Sequence, residues 1–153
     1  WNKIINTNLL GTFWGCKTAS HYLNKNGNII NISSLAGKRG SANNSVYCAS
    51  KFGVNGITQS LAKELGPKKI RVNAVCPVYI MTEGLQKALK DKYSPTKGKN
   101  IKKYLQSFVN TNSALGNLPD SNDVAEICLF LSSNKSKSIT GQCINIDCGI
   151  LPQ

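Results

Sequence analysis

The sequence predicts an α/β fold built on a parallel sheet, and two observations carry the prediction. Segments with apolar residues at three- and four-residue intervals alternate with short β-branched runs. The runs are also separated by helical segments, and a strand, a helix and a further strand in that order need a right-handed crossover, which pairs the strands in parallel.

From Trp1 to about Asn24, the residues Ile4, Ile5, Leu9, Phe13, Cys16, Tyr22 and Leu23 recur mostly at helical spacing, and Gly27 follows as a stop signal. Asn28 to Ser33 is β-branched and bounded by Gly27 and the Ser33-Ser34-Leu35-Ala36-Gly37 loop, which makes it a strand with Ser33 and Ser34 at its C-terminal end. Val46, Phe52, Val54, Ile57, Leu61 and Leu65 mark a second long helix that Gly66-Pro67 ends. Its small residues Ala49, Ser50, Gly53 and Gly56 point to close packing against a neighbour. Ile70 to Cys76 is the next strand, and Pro77 terminates it because proline cannot donate to a ladder.

Between about Val78 and Leu118 the residues Gly84, Pro95, Gly98 and Gly116 interrupt weak helical patches, and the stretch reads as irregular. A segment of this length after a strand suggests a lid. It carries Lys87, Lys90, Lys92, Lys97, Lys99, Lys102 and Lys103, which as a solvated face need no ligand and as a binding face favour an anionic substrate group. Asp120 to Ser132 is a capped helix, and Gln142 to Asp147 a last strand ending at Cys148-Gly149.

At 153 residues the chain is expected to form one domain over residues 1–153. With 41% hydrophobic and 17% charged residues and no apolar run long enough to span a bilayer, it is expected to be soluble, with no membrane partner. A net charge of +12 raises the question of nucleic acid, but the lysines are dispersed and not interleaved with aromatics, so no nucleic-acid partner is expected. Cys16, Cys48, Cys76, Cys128, Cys143 and Cys148 lie in helix and strand patterns without a Cys-x-x-Cys pair, which predicts reduced thiols and a cytoplasmic protein. No metal site is expected, and His21, the one histidine, reads as a helix-end residue. Trp1 falls inside a helical pattern, so the chain reads as starting in mid-protein.

Tyr47 and Lys51 are four apart on the second helix and project from one face. A free tyrosine has a pKa of about 10 and becomes a useful base only when a neighbouring positive charge favours its phenolate. A Tyr-x-x-x-Lys pair also occurs on many solvated helix faces, so the surrounding residues decide its meaning.

Those residues are Ile32-Ser33-Ser34-Leu35-Ala36-Gly37 before the pair, Tyr47-Cys48-Ala49-Ser50-Lys51 around it, and Ile70-Arg71-Val72-Asn73-Ala74-Val75-Cys76-Pro77 after it. Together they resemble the short-chain dehydrogenase/reductase family. The resemblance continues through Asn8-Leu9-Leu10-Gly11-Thr12-Phe13, Ala114-Leu115-Gly116, Asp123-Val124-Ala125 and Thr140-Gly141-Gln142, over nearly the whole chain. It implies a Rossmann-like doubly wound parallel sheet and a catalytic set of Ser34, Tyr47, Lys51 and Asn8. It also implies contacts to an NAD or NADP cofactor from Tyr47, Lys51, Pro77, Ile80 and Thr82. In such a set Tyr47 gives or takes the hydroxyl proton, Ser34 holds the substrate oxygen, Lys51 binds the nicotinamide ribose, and Asn8 stabilises a helix bend and a proton-relay water.

The chain departs from the family pattern at Pro77-Val78, where Pro-Gly is usual, and at Asp147-Cys148-Gly149, where Asp-Gly-Gly is usual. A β-branched valine adds bulk beside the cofactor and excludes positive φ. The family's glycine-rich turn, which holds the pyrophosphate, and its Asn-Asn-Ala-Gly stretch are absent from the sequence. The expectation is therefore that only the last three strands of a seven-stranded sheet and their helices are present, with an unpaired edge on the first of them.

The activity implied is NAD(P)-dependent interconversion of a secondary alcohol and a ketone, the substrate being a polyol, hydroxyketone or sugar-derived small molecule. Reduction of 3-oxoacyl thioesters on an acyl carrier protein is the alternative within the family. A non-catalytic nucleotide-binding or interaction relative is the alternative of another class. The resemblance further implies a homodimer or homotetramer, formed through the two long helices.

Overall fold

The computed structural model describes residues 1–98 and 100–152; Lys99, one of the lid lysines, and Gln153 lie outside the described residues. Its middle layer is a sheet of β1 (Asn28–Ile32), β2 (Arg71–Pro77) and β3 (Cys143–Ile146) in the spatial order β1-β2-β3. Both pairings are parallel, with Ile30 opposite Asn73 and Ala74 opposite Cys143. The predicted α/β class and parallel pairing are what the chain forms.

A helical stretch precedes the sheet: α1 (Asn2–Ile4), a π-helical turn (Ile5–Leu10) and α2 (Gly11–Tyr22). The long helix α3 (Ser45–Leu65) crosses from β1 to β2, and α4 (Glu83–Leu89), α5 (Ile101–Asn112) and α6 (Ser121–Ser132) lie between β2 and β3.

Successive strand residues point to opposite faces, so a central strand covered on both sides must be apolar at nearly every position. β2 meets this requirement, since Val72 and Val75 are both fully buried, one on each face. Val72 and Ile70 pack against Ala62 and Leu65 of α3, joined by Leu23, Ile29 and Leu61. On the other face Val75 and Ile146 meet Leu131 of α6, with Val124, Ile127 and Cys128 around them. Helices thus cover both faces of the sheet, as doubly wound folds require.

Two buried asparagines tie these layers together, each by one donated and one accepted side-chain hydrogen bond. Asn31 of β1 donates to the Thr58 hydroxyl of α3 at 2.9 Å and accepts from the Cys16 thiol of α2 at 3.2 Å. Asn73 of β2 donates to Ile139 O at 2.9 Å and accepts from Gln142 N–H at 3.0 Å, which sets the entry into β3. An unpaired amide at either place would be costly.

The largest difference from the sequence reading lies between Val78 and Leu118, where α4 and α5 replace an irregular stretch. Asn100 caps α5 by accepting from Lys103 N–H at 3.1 Å, and Leu105 and Val109 are buried one turn apart. Pro95 and Gly98 precede this helix rather than interrupt it, so their breaker character falls on the connection. Pro77 closes β2 as its last residue instead of standing outside it. All six cysteines are free. Among the described residues no side-chain group could hold a metal ion, and no helix is long and apolar enough to cross a membrane.

Candidate active site

The carboxyl end of β1 leads into a 3₁₀ turn (Leu35–Gly37) capped by Ser34, whose Oγ accepts from Ala36 N–H at 3.1 Å. That turn is clamped onto α3. Ser33 Oγ donates to Lys51 O at 3.2 Å and Asn55 Nδ2 donates to Gly37 O at 2.9 Å. A Cβ on Gly37 would stand 2.7 Å from Lys51 O, so only glycine lets loop and helix approach this closely.

Tyr47 lies half-buried in the first turn of α3, and Lys51 follows one turn later. Lys51 Nζ is 5.8 Å from the centroid of the Tyr47 ring and donates to Ile32 O at 2.8 Å. Burial pulls the Lys51 ammonium below the usual lysine range, and the charge of the neighbouring Cys76 opposes that shift.

Asn8 sits in the π-helical turn and reaches the same helix from the other side. Its Nδ2 donates to Ser50 Oγ at 3.2 Å, and Ser50 Oγ donates to Tyr47 O at 2.7 Å. The widened turn sends the Gly11 N–H to Asn6 O, and the Thr12 hydroxyl takes up Asn8 O at 2.7 Å. Leu9, next to Asn8, packs on Gly53 of α3, where a Cβ would come within 2.5 Å of Leu9 Cδ1. A π turn of this kind commonly marks a functional position in a helix.

Ser34, Tyr47, Pro77, Ile80 and Thr82 all line one cleft of about 760 Å³, between the ends of β1 and β2 and the α4 region. Val78 lines it as well, at the place where the sequence departs from Pro-Gly. Lys51 and Asn8 are not in its lining. They touch Tyr47 through its ring and, by way of Ser50, through its carbonyl. Thr82 is exposed and its Oγ1 caps α4 by accepting from Leu85 N–H at 3.2 Å.

Sequence reasoning took Ser50 as a small packing residue and did not single out Arg39 or Tyr79. Ser50 stands three residues after Tyr47, a spacing that returns its hydroxyl to the Tyr47 carbonyl on a helix, so a signal for it existed. Arg39 and Tyr79 enter the cleft lining through loop geometry, which has no periodic signature.

The family model described as Enoyl-(Acyl carrier protein) reductase matches residues 1–151. The chain is 39% identical over 153 residues to the 3-oxoacyl-[acyl-carrier-protein] reductase of Thermotoga maritima, covering 99% of this chain and 57% of that protein. It is 39% identical over 153 residues to the (3R)-3-hydroxyacyl-CoA dehydrogenase of Homo sapiens, covering 98% of this chain and 54% of that protein. Among solved structures, sorbitol-6-phosphate 2-dehydrogenase from Erwinia amylovora superposes with a TM-score of 0.89 at 31% identity, over 99% of this chain and 60% of that one. Two more are complexes with a nicotinamide dinucleotide. A blue fluorescent protein from a metagenomic library with NADPH has a TM-score of 0.80 at 28% identity, over 97% of this chain and 55% of that one. A 4-hydroxyisoleucine dehydrogenase with NADH has a TM-score of 0.76 at 28% identity, over 95% of this chain and 57% of that one. The chain thus spans somewhat over half the length of the curated relatives it matches.

Proposed function

The chain belongs to the short-chain dehydrogenase/reductase family, and we propose that it carries the proton-transfer centre of an NAD(P)-dependent oxidoreductase that interconverts a secondary alcohol and a ketone. The observation that carries this reading is the shared cleft of Ser34 and Tyr47, with Lys51 set against the Tyr47 ring.

The residues fit the nicotinamide end of a dinucleotide. Two hydroxyls, those of Ser34 and Tyr47, and apolar Pro77, Ile80 and Leu85 all line the cleft, the mixture a flat, weakly polar ring needs. An ammonium has three donors, and Ile32 O occupies one donor of Lys51, which leaves others for ribose hydroxyls. The cofactor, when bound, supplies or accepts the hydride. NAD and NADP both remain compatible, since relatives of known structure hold either one.

Ser34 Oγ accepts the Ala36 N–H, so its own hydrogen is available to donate to a substrate oxygen and hold it in the cleft. Tyr47 gives its phenolic proton to that oxygen in reduction and takes it in oxidation. Lys51, with its Nζ 5.8 Å from the centroid of that ring, brings a positive charge to the proton-transfer centre. Asn8 acts through Ser50 on the backbone of Tyr47, and from its π turn it would stabilise a bend of the helix and hold a relay water.

The cleft is also lined by Val78, Ser94 and Phe108, which belong to the stretch at about 78–118 read as a lid over the substrate. A polyol, hydroxyketone or sugar-derived substrate fits this arrangement, and a relative at 31% identity is named for a sugar-alcohol phosphate. Reduction of a 3-oxoacyl thioester is the second reading, favoured by the names of the two relatives at 39% identity. A homodimer or homotetramer belongs to the same proposal. Phe13 and Trp14 of α2 and Phe52 of α3 expose 40%, 51% and 48% of their surface on the two helices expected to meet a second subunit.

The test is Tyr47→Phe in the complete protein. It should cut NAD(P)-linked turnover by about 10²-fold or more while leaving the melting temperature unchanged. Turnover at the wild-type rate refutes the assignment.

A further inference from the structure

A second cleft, of about 500 Å³, opens beside the first and shares with it Arg39, Asn43, Tyr79, Tyr93, Ser94 and others, so that the two form one continuous depression. The first carries the hydroxyls of Ser34 and Tyr47; the second differs in charge. Arg39, Lys92 and Lys97 line it, and no acidic residue does among the described residues. The nearest acid in sequence, Asp91, lines only the first cleft, and its Oδ1 accepts the Tyr93 N–H at 2.7 Å.

The floor of this second cleft is built rather than incidental. Tyr79 and Tyr104 place their hydroxyl oxygens 3.3 Å apart, and the Tyr79 ring meets Phe108 edge-on at 5.1 Å between centroids. Burial, reinforced by the Tyr104 hydroxyl, raises the Tyr79 pKa, so its phenol stays protonated, while the Arg39 charge pulls the other way. Lys92, in the second cleft, holds its Nζ 4.9 Å from the centroid of the ring of Tyr93, a residue that lines both clefts. Arg39 is half-buried, and its backbone N–H is tied to Leu35 O at 3.2 Å in the turn that presents Ser34. The Arg39 backbone is therefore fixed in the same loop as the proposed substrate-orienting hydroxyl.

We infer that the second cleft binds a phosphate ester at the end of the substrate remote from the reacting carbon, with Arg39 as its main ligand and Lys92 and Lys97 as supporting charges. This rests on the first cleft being the site of ketone reduction and adds the substrate class to it: a small phosphorylated ketone or alcohol whose two ends span a single depression. A planar guanidinium suits a tetrahedral oxyanion through paired N–H donors, and the ammoniums neutralise the second charge of a dianion, which a monocarboxylate lacks. The ring of Tyr79 supplies the apolar surface between the two ends.

Two measurements on the complete protein test this. The first is a ³¹P NMR titration with inorganic phosphate of the wild type, Arg39→Gln and the Lys92→Gln/Lys97→Gln double variant. Each variant should weaken binding by about tenfold or more, as expected on losing a charge-assisted hydrogen bond. Equal affinity across the three proteins overturns the inference. So does acetate displacing phosphate as effectively as phosphate itself.

The second measurement compares kcat/KM for fructose and fructose 6-phosphate with NAD(P)H. The phosphorylated ketone should be preferred by about tenfold or more, and Arg39→Gln should lower kcat/KM for fructose 6-phosphate about tenfold more than for fructose, erasing the preference. Equal rates for the two ketones in the wild type overturn the inference but leave the oxidoreductase reading standing. Arg39-dependent phosphate binding without reduction of any ketone supports the anion site and refutes that reading.

Discussion

At the scale of single residues the site depends on close backbone approach. Gly37 brings the Ser34 loop against Lys51, where an added Cβ would meet the Lys51 carbonyl oxygen at 2.7 Å and its carbon at 2.9 Å. Both are backbone atoms that no rotamer change can move aside. Gly37→Ala should therefore displace the loop, lower stability by about 1–3 kcal/mol and reduce kcat about 10²-fold through misplacement of Ser34. Urea unfolding and steady-state kinetics on the complete protein check the two parts separately. A wild-type kcat in a folded variant contradicts the role given to the clamp. Cys148 is the opposite case, a non-glycine residue at φ 54°. It is held there because its carbonyl accepts from Ala114 N–H at 3.0 Å and Leu115 N–H at 3.2 Å. Left-handed strain of about 1–2 kcal/mol outweighs the roughly 0.4–1 kcal/mol that glycine's freedom costs in the unfolded chain. Cys148→Gly should raise the melting temperature by a few degrees in calorimetry. The identities of these residues were readable as departures or loop glycines, but the atoms they approach lie on other elements, and no local spacing encodes that.

At the scale of elements, legibility followed periodicity and capping. The helix after Asp120 was evident because an aspartate precedes an apolar-periodic run, and its cap is complete. Asp120 accepts from Asn122 N–H at 2.7 Å and Asp123 N–H at 3.1 Å, while Asp123 Oδ2 accepts from Asp120 N–H at 2.8 Å. Because α6 brings Leu131 onto Val75 and Ile146, fraying its first turn loosens one whole face of the sheet. Asp120→Ala should cost about 1 kcal/mol in urea unfolding, and an unchanged midpoint would show that the packing alone holds the helix. By contrast α5 was hidden by breakers on its approach and by lysines at Lys102 and Lys103, which a sequence reader takes as a solvated loop and which here occupy exposed positions of an amphipathic helix. The π turn around Asn8 was hidden too, since its apolar residues keep near-helical spacing while the hydrogen bonds widen by one residue. Strands and their parallel order were legible because β-branched runs separated by a helix leave one topology. Which ends of β1 and β2 converge on a cleft follows from that topology, and ligands in open α/β sheets sit beyond the carboxyl ends of strands.

At the scale of the whole molecule, two of the apolar surfaces left exposed among the described residues bear on assembly and on cofactor affinity. The first is the outer side of β1, which among the described residues has only β2 as a neighbour in the sheet, and where Ile32 is 53% exposed. The second is the face of α2 and α3 that shows Phe13, Trp14 and Phe52. For the second, Trp14→Glu combined with Phe52→Lys should convert the proposed dimer or tetramer of the complete protein to monomer in sedimentation, without loss of helix signal, since both side chains lie on the surface. An unchanged assembly removes these helices from the interface. The first bears on cofactor affinity. The residues proposed to meet a dinucleotide here, Tyr47, Lys51, Pro77, Ile80 and Thr82, serve its nicotinamide and ribose, whereas the pyrophosphate carries the charge that helix N-termini and glycine-rich turns hold. No glycine-rich turn of that kind occurs in the 153-residue sequence. A polypeptide of residues 1–153 should therefore bind NAD⁺ and NADP⁺ more weakly than about 100 μM in calorimetry, even where circular dichroism shows its helices formed. Micromolar binding by that polypeptide would mean that the nicotinamide end alone supplies the affinity, and that the Ser34 and Tyr47 cleft is a tighter cradle than its few polar groups allow.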